Sequence, residues 1–210
     1  MEEILNFWVL FAASRVGILI LQLALNKAIP DRKQGRHLAQ PEFQKTDWAY
    51  MLINQFNETF FIKTLMSYEA SMPSMKVSFA GVAHVFLSSY LLLKTDDFMY
   101  WLFHRGLHKH RKLYSKIHLH HHKNEAPCRG YFDAINEHPL EMSFALVINM
   151  VAINILFPAL VSQSILLFLF SKACFAIINH MDRNFKIPFM YDSERHILHH
   201  SKKVVHFGQM

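Results

Sequence analysis

Residues 97–122, DFMYWLFHRGLHKHRKLYSKIHLHHH, hold His104, His108, His110, His118, His120, His121 and His122. His104 and His108 are four apart, so on a helix one stands above the other on the same face. His118, His121 and His122 fall at i, i+3 and i+4, again one face, and the same triplet returns as His196, His199 and His200. Imidazole is a good ligand for iron, copper, nickel and zinc. The three clusters supply eight imidazoles, whereas a tetrahedral ion takes about four protein ligands and an octahedral one about six. The arithmetic points to two metal ions. The chain has 15 histidines in 210 residues, and a solvated cationic helix is the alternative; recurrence of the triplet far along the chain weighs against it.

The elements that must carry these rings are apolar. Hydrophobic residues make up 52% of the chain, including 19 Phe, against 18% charged. That is apolar for a soluble domain of this length. The net charge is +6, and the basic residues cluster at the ends of apolar runs. They suit an anionic membrane surface better than nucleic acid, so no nucleic-acid partner is expected. Cys128 and Cys174 make neither a disulfide framework nor a thiolate metal site. Residues 4–25 are long enough to span a bilayer, which takes about 20 residues. With Glu2 and Glu3 ahead of them they read as a retained anchor, not a cleaved signal. Arg15 interrupts the run and should face other helices, since a charge facing lipid is costly.

A basic loop with Pro30, Gly35 and Pro41 as breakers follows, and its His37 reads as solvated. Residues 47–68 carry Asn54, Asn57, Glu58 and Lys63, which makes them either a crossing or an interfacial helix. Pro73 precedes a clearer span, 77–93, in which His84 reads as hydrogen-bonded to a neighbouring helix. Asp96 and Asp97 then suit the start of a new helix carrying His104 and His108. Residues 139–179 form two apolar arms with Pro158 at the turn. A hairpin returns to the side it left, so His138 and His180 stand at its two feet on one face. Lys and Arg crowd the histidine clusters and residues 27–45. The histidine face is therefore cytosolic by the positive-inside rule, and 47–68 should cross. The fold class expected is all-α: an integral membrane helical bundle of about four to five spans with a cytosol-facing, histidine-rich di-metal cap.

In order, the motifs are H-x-x-x-H (His104, His108), H-x-x-H-H (His118, His121, His122), His138-Pro139-Leu140-Glu141, a single His180, and H-x-x-H-H (His196, His199, His200). This resembles the fatty acid hydroxylase superfamily, integral-membrane di-iron enzymes that include sterol 4-methyl oxidases, sterol desaturases and lipid hydroxylases. The likeness covers about residues 96–208. Asp97-Phe98, His104-Arg105, Ile117-His118, Ala126-Pro127 and His138 to Glu141 are its most specific pieces, and the last two make the sterol 4-methyl oxidases the nearest in motif. The apolar runs make 1–95 membrane anchor spans, and the resemblance implies a di-iron domain over 96–210. It further implies metal ligands at His104, His108, His118, His121, His122, His180, His196, His199 and His200, with His138 as ligand or supporting group. Asp97, Asp133 and Glu141 are candidates to orient the ligands. His120 should point off the metal face, and His110 should be solvated.

The implied function is a membrane-bound oxygenase. It would use two iron ions, O₂ and two external electrons to hydroxylate or oxidise a C–H bond of a sterol or fatty acyl or alkyl lipid. A separate b-type cytochrome with its reductase would be the donor, and the endoplasmic reticulum the location. A desaturase would use the same ligands. Two departures stand out: Met181-Asp182-Arg183-Asn184 replaces a small, Gly-containing turn, and His206 stands where an Asn usually precedes Phe-Gly. With no further tail after Met210 to close the pocket, an inactive truncated member is an alternative. A histidine-rich metal-binding membrane protein is another, although a transporter should hold its ligands at mid-bilayer and only His84 is deep.

Overall fold

The computed structural model describes residues 2–30, 41–69, 72, 78–188, 190–203 and 205–208. Gly35, His37, Pro73 and the basic residues Arg32, Lys33 and Arg36 lie outside them. The helices are α1 (Glu2–Ala28), α2 (Lys45–Glu69), α3 (Phe79–Lys109), α4 (Arg111–Leu113), α5 (Tyr131–Ala134), α6 (Pro139–Leu156), α7 (Ser162–Asn179) and α8 (Ser193–Lys202). A wide π-turn, Tyr114–His118, and a tight 3₁₀ turn, His121–Lys123, link α4 to the loop before α5. Lys186–Ile187 pairs antiparallel with Tyr191–Asp192 ahead of α8. The fold is all-α apart from that short ribbon.

Among the described residues, the stretches long and apolar enough to cross a membrane are Ile4–Ala28, Pro139–Ala159 and Ser162–Asn179. Four to five spans were the expectation. α2 nevertheless covers the full height of the α6–α7 hairpin. Its Tyr50 ring lies 5.1 Å from His138 at the foot, and its Tyr68 ring lies 5.4 Å from Phe157 at the tip. Asn54, Asn57 and Glu58 turn inward, which is why they tolerate an apolar setting, whereas Lys63 is exposed. Asn54 Nδ2 donates to the carbonyls of Ile135 and Glu137, at 3.0 and 2.8 Å. Asn57 Nδ2 donates to Ser143 Oγ. Trp48, Leu52, Phe60 and Met66 face outward.

The expected helix break at Asp96 is absent. α3 is one helix of 31 residues, and the point between 95 and 96 where two domains were expected to meet falls inside it. No Gly or Pro interrupts residues 82–105, and Asp96, buried mid-helix, is instead paired across the bundle through Oδ2 with Lys172 Nζ at 2.5 Å. The start of α3 is capped by Ser78, whose Oγ accepts from Gly81 N at 3.0 Å.

α3 and α7 run side by side in a constant register. Ser88 Oγ meets Ser164 Oγ at 2.6 Å, and Asp96 meets Lys172 eight residues further on; both pairs are 76 apart in sequence. Small serines let the helices approach closely and bond to each other where water is absent. The same offset carries His104 to the level of His180. Apolar packing of Leu92, Ile153, Ile165 and Phe168, all essentially buried, fixes this pair against α6. His84 Nε2 lies 3.0 Å from the Ala159 carbonyl at the hairpin tip, the neighbouring-helix bond expected for it.

Candidate metal centre

Nine histidines gather beyond the foot of the hairpin in two adjoining groups. The first is His104, His108, His118, His122 and His199; the second is His121, His180, His196 and His200. Within each group one ligand atom per residue lies within 4.8 Å of all the others. α3 supplies His104 and His108, the 114–123 segment supplies three rings, the end of α7 supplies His180, and α8 supplies three. Each H-x-x-H-H triplet is shared out. His118 and His122 enter the first group and His121 the second, while His196 and His200 enter the second and His199 the first. The rings of His122 and His200 are 4.9 Å apart, so the two groups share a wall.

The nitrogen geometry calls for cations. His118 Nδ1 lies 2.6 Å from Glu141 Oε1. With Glu141 as the acceptor, that nitrogen carries the ring's one proton, and Nε2 is a bare lone pair. His104 is in the same condition, because its Nδ1 donates to the Phe207 carbonyl at 2.8 Å. Yet the Nε2 atoms of His104 and His118 lie 2.8 Å apart. Two lone pairs at that distance repel unless they share a positive ion. His108 and His122 also bring Nε2 to within 2.9 Å of His118 Nε2. In the second group Nε2 separations are 3.1 Å (His196–His200), 3.2 Å (His180–His196) and 3.4 Å (His121–His180). Nitrogens about 2.0–2.1 Å from one ion stand about 2.9 Å apart at right angles and about 3.4 Å apart at the tetrahedral angle. Both groups fit a metal ion, the first with the closer, more octahedral spacing.

Backbone carbonyls set the tautomers of three further rings. His199 Nδ1 donates to Val205 O at 2.7 Å, His200 Nδ1 to Asn124 O at 3.0 Å, and His180 Nδ1 to Ala176 O at 2.8 Å. Each leaves Nε2 free for the centre. Buried His199 Nε2 finds no hydrogen-bond partner among the described residues, as a nitrogen meant for a metal should. Burial and the neighbouring imidazoles hold the rings neutral. Burial is the largest cause for His108 and His118, both pushed down to about 3, for His122 at about 2 and for His199 at about 4. Neutral imidazole is the ligating form.

Several expected residues stand elsewhere. His138 lies outside both groups. It caps α6, where its Nδ1 accepts from Leu140 N at 3.2 Å, because the His-Pro step places it at the helix N-terminus. Asp133 turns from the imidazoles to the 128–129 turn, accepting from Cys128 N, Arg129 N and the Arg129 guanidinium. Asp97 lies against the C-terminal segment, where a Cβ added at Gly208 would sit 3.2 Å from its Oδ1. Of the three carboxylates, Glu141 bonds to a clustered ring. His120 does point away: its Nε2 is 2.9 Å from Asp47 Oδ1 and 3.0 Å from Asn136 Oδ1. His110 is exposed at the end of α3.

Beneath the second group lies a cavity of about 320 Å³. His121, His180 and His196 form its roof, and Phe61, Leu146 and Leu169 are among the apolar side chains of its walls. A polar trio also lines it. Arg15 Nη1 donates to Glu58 Oε2 at 2.7 Å and to the Tyr131 hydroxyl, and that hydroxyl donates to Glu58 Oε2 at 2.5 Å. Arg15 thus faces other helices, as its place in an apolar run requires. The spacing of Arg15, Glu58 and Tyr131 in sequence gives no sign that they meet. Asn149, Asn179, Lys172 (paired with Asp96) and Glu137 add to the polar lining; burial first, then the Glu141 carboxyl, holds Glu137 well above the usual carboxylate range.

The profile of the Fatty acid hydroxylase family matches residues 89–210, more than half of the chain and all nine clustered histidines. No curated protein and no solved structure gives a significant match.

Proposed function

Because the chain belongs to the fatty acid hydroxylase family, we propose that it is an integral-membrane oxygenase. It takes two iron ions, O₂ and two external electrons to hydroxylate or oxidise a C–H bond of a lipid. The observation that carries this reading is the pair of all-imidazole groups roofing an apolar cavity. His104, His108, His118, His122 and His199 hold one ion, and His121, His180, His196 and His200 the other. When bound, such ions supply the redox power that unactivated C–H bonds need and amino-acid side chains lack.

The chain's own groups supply the setting. Glu141 and the backbone carbonyls orient the rings. The apolar walls exclude water, and the cavity receives substrate from the surrounding lipid. The separate electron donor is a b-type cytochrome with its reductase, and the site faces the cytosol at the endoplasmic reticulum. A sterol is the substrate that the sequence motifs favour. Hydroxylation and desaturation share the oxidant, and the product distinguishes them.

The test is lipid profiling of cells with and without the chain under air, beside metal analysis of the purified protein. About two irons per chain and a new oxidised or desaturated lipid are expected. Iron-free protein and an unchanged lipid profile would sink the reading.

A further inference from the structure

We infer that Arg15, Glu58 and Tyr131 form the head-group subsite of the cavity, selecting a lipid with a neutral hydroxyl over one with a carboxylate; this rests on the oxygenase reading above. The trio needs an explanation beyond packing. Desolvating a largely buried ion pair can cost more than its attraction returns, and apolar side chains of similar volume would join the helices as well. Here the pair lines a cavity that is apolar over most of its wall and leads to the metal groups.

Its hydrogen-bonding capacity suits a hydroxyl. Glu58 Oε2 already accepts from both Arg15 and Tyr131. Glu58 Oε1 accepts from none of the described residues and is free to take an O–H. Arg15 Nη2 holds only Ser14 Oγ, at 3.3 Å, and a guanidinium has five donors, so it has one to spare for the hydroxyl oxygen. An alcohol, donor and acceptor at once, completes both. A carboxylate finds the Arg15 charge already neutralised and would bury a second anion beside Glu58.

Position gives a second consequence. Gln22, two turns after Arg15 on α1, fixes the chain next to His180: its Oε1 accepts from Tyr131 N at 2.8 Å, and Gly130 N donates to His180 O at 2.7 Å. Two helical turns are roughly 10 Å. The trio and the second group therefore sit roughly two helical turns apart along α1, which places the carbon presented to the imidazoles nearer the head of the lipid than the far end of a long chain.

The experiment is equilibrium binding of radiolabelled hexadecanol and palmitate to the metal-loaded protein in neutral-lipid nanodiscs without a reductant, so that no turnover takes place. The wild type should hold hexadecanol at least about tenfold more tightly. Glu58→Gln leaves Arg15 without its counter-charge and should reverse the preference toward palmitate. A photoreactive hexadecanol should crosslink to cavity residues around Glu58 or Tyr131. Equal or tighter binding of palmitate by the wild type overturns the inference, with no variant needed. So does crosslinking elsewhere, or a folded Glu58→Gln protein with an unchanged preference. Metal content and lipid products, measured separately, report on the oxygenase reading itself.

Discussion

The two histidine groups are built alike but held differently. The first packs five rings, three of them (His104, His108 and His122) with Nε2 2.8–2.9 Å from that of His118, and a buried carboxyl group, Glu141, braces that central ring. The second has four rings, spaced 3.1–3.4 Å along its contacts, and among the described residues no carboxylate is hydrogen-bonded to them. Like that of His122 in the first, the Nδ1 atoms of His121 and His196 in the second have no hydrogen-bond partner among the described residues. It is also the group that opens on the cavity. The contrast suggests a division of labour: a saturated, braced site beside a less crowded one that meets the lipid.

The strongest way to break that contrast is His180→Ala. It should abolish lipid oxidation and remove one of two ions per chain, leaving the first group filled, as measured by metal analysis. Loss of both ions together would show that the groups are a single unit. Next in size is Glu141→Gln, which should weaken metal binding in the first group by about 10–100-fold and spare the second, as read by competition with a chelator. Equal weakening of both would remove the difference in bracing.

Acid offers a third test. In the unfolded chain the rings take protons below about 6.5, but in the folded chain His199 resists to about 4 and His108 and His118 to about 3. Between those values the unfolded state binds more protons, so stability falls as pH falls. Metal-free protein should unfold at lower denaturant at pH 5 than at pH 7.5. The smallest effect belongs to His138→Ala. Losing a cap should cost about 0.5–2 kcal/mol in thermal or chemical unfolding and leave metal content unchanged; a lost ion would return His138 to the ligand set.

The spacing of the histidines was enough to single out the rings that gather, because ligands on one helix face must recur at i, i+3 and i+4. It did not reveal how each triplet divides. Ring direction depends on the π-turn over Tyr114–His118 and on how α8 lies along the wall between the groups, and neither is a local property. The carbonyls of Phe207, Val205, Asn124 and Ala176 were equally hidden, since every residue has one. His138 misled because its place at the hairpin foot is real, while its Nδ1 is taken by the helix end beside it. Asp96 misled because a sequence window shows a good cap residue and not the Lys172 that meets it from α7. The Arg15–Glu58 pair was half visible: a charge in an apolar run must find company, but its partner lies 43 residues away.

The constant offset between α3 and α7 acts as a gauge for the whole centre. Adding one residue to α3 between Asp96 and His104 would swing the ring by about 100° and lift it about 1.5 Å, while His180 stayed where it was. The length of a greasy segment that never touches metal is therefore as tightly specified as the ligands themselves. Tolerance to insertion should end sharply where the serine pairs begin.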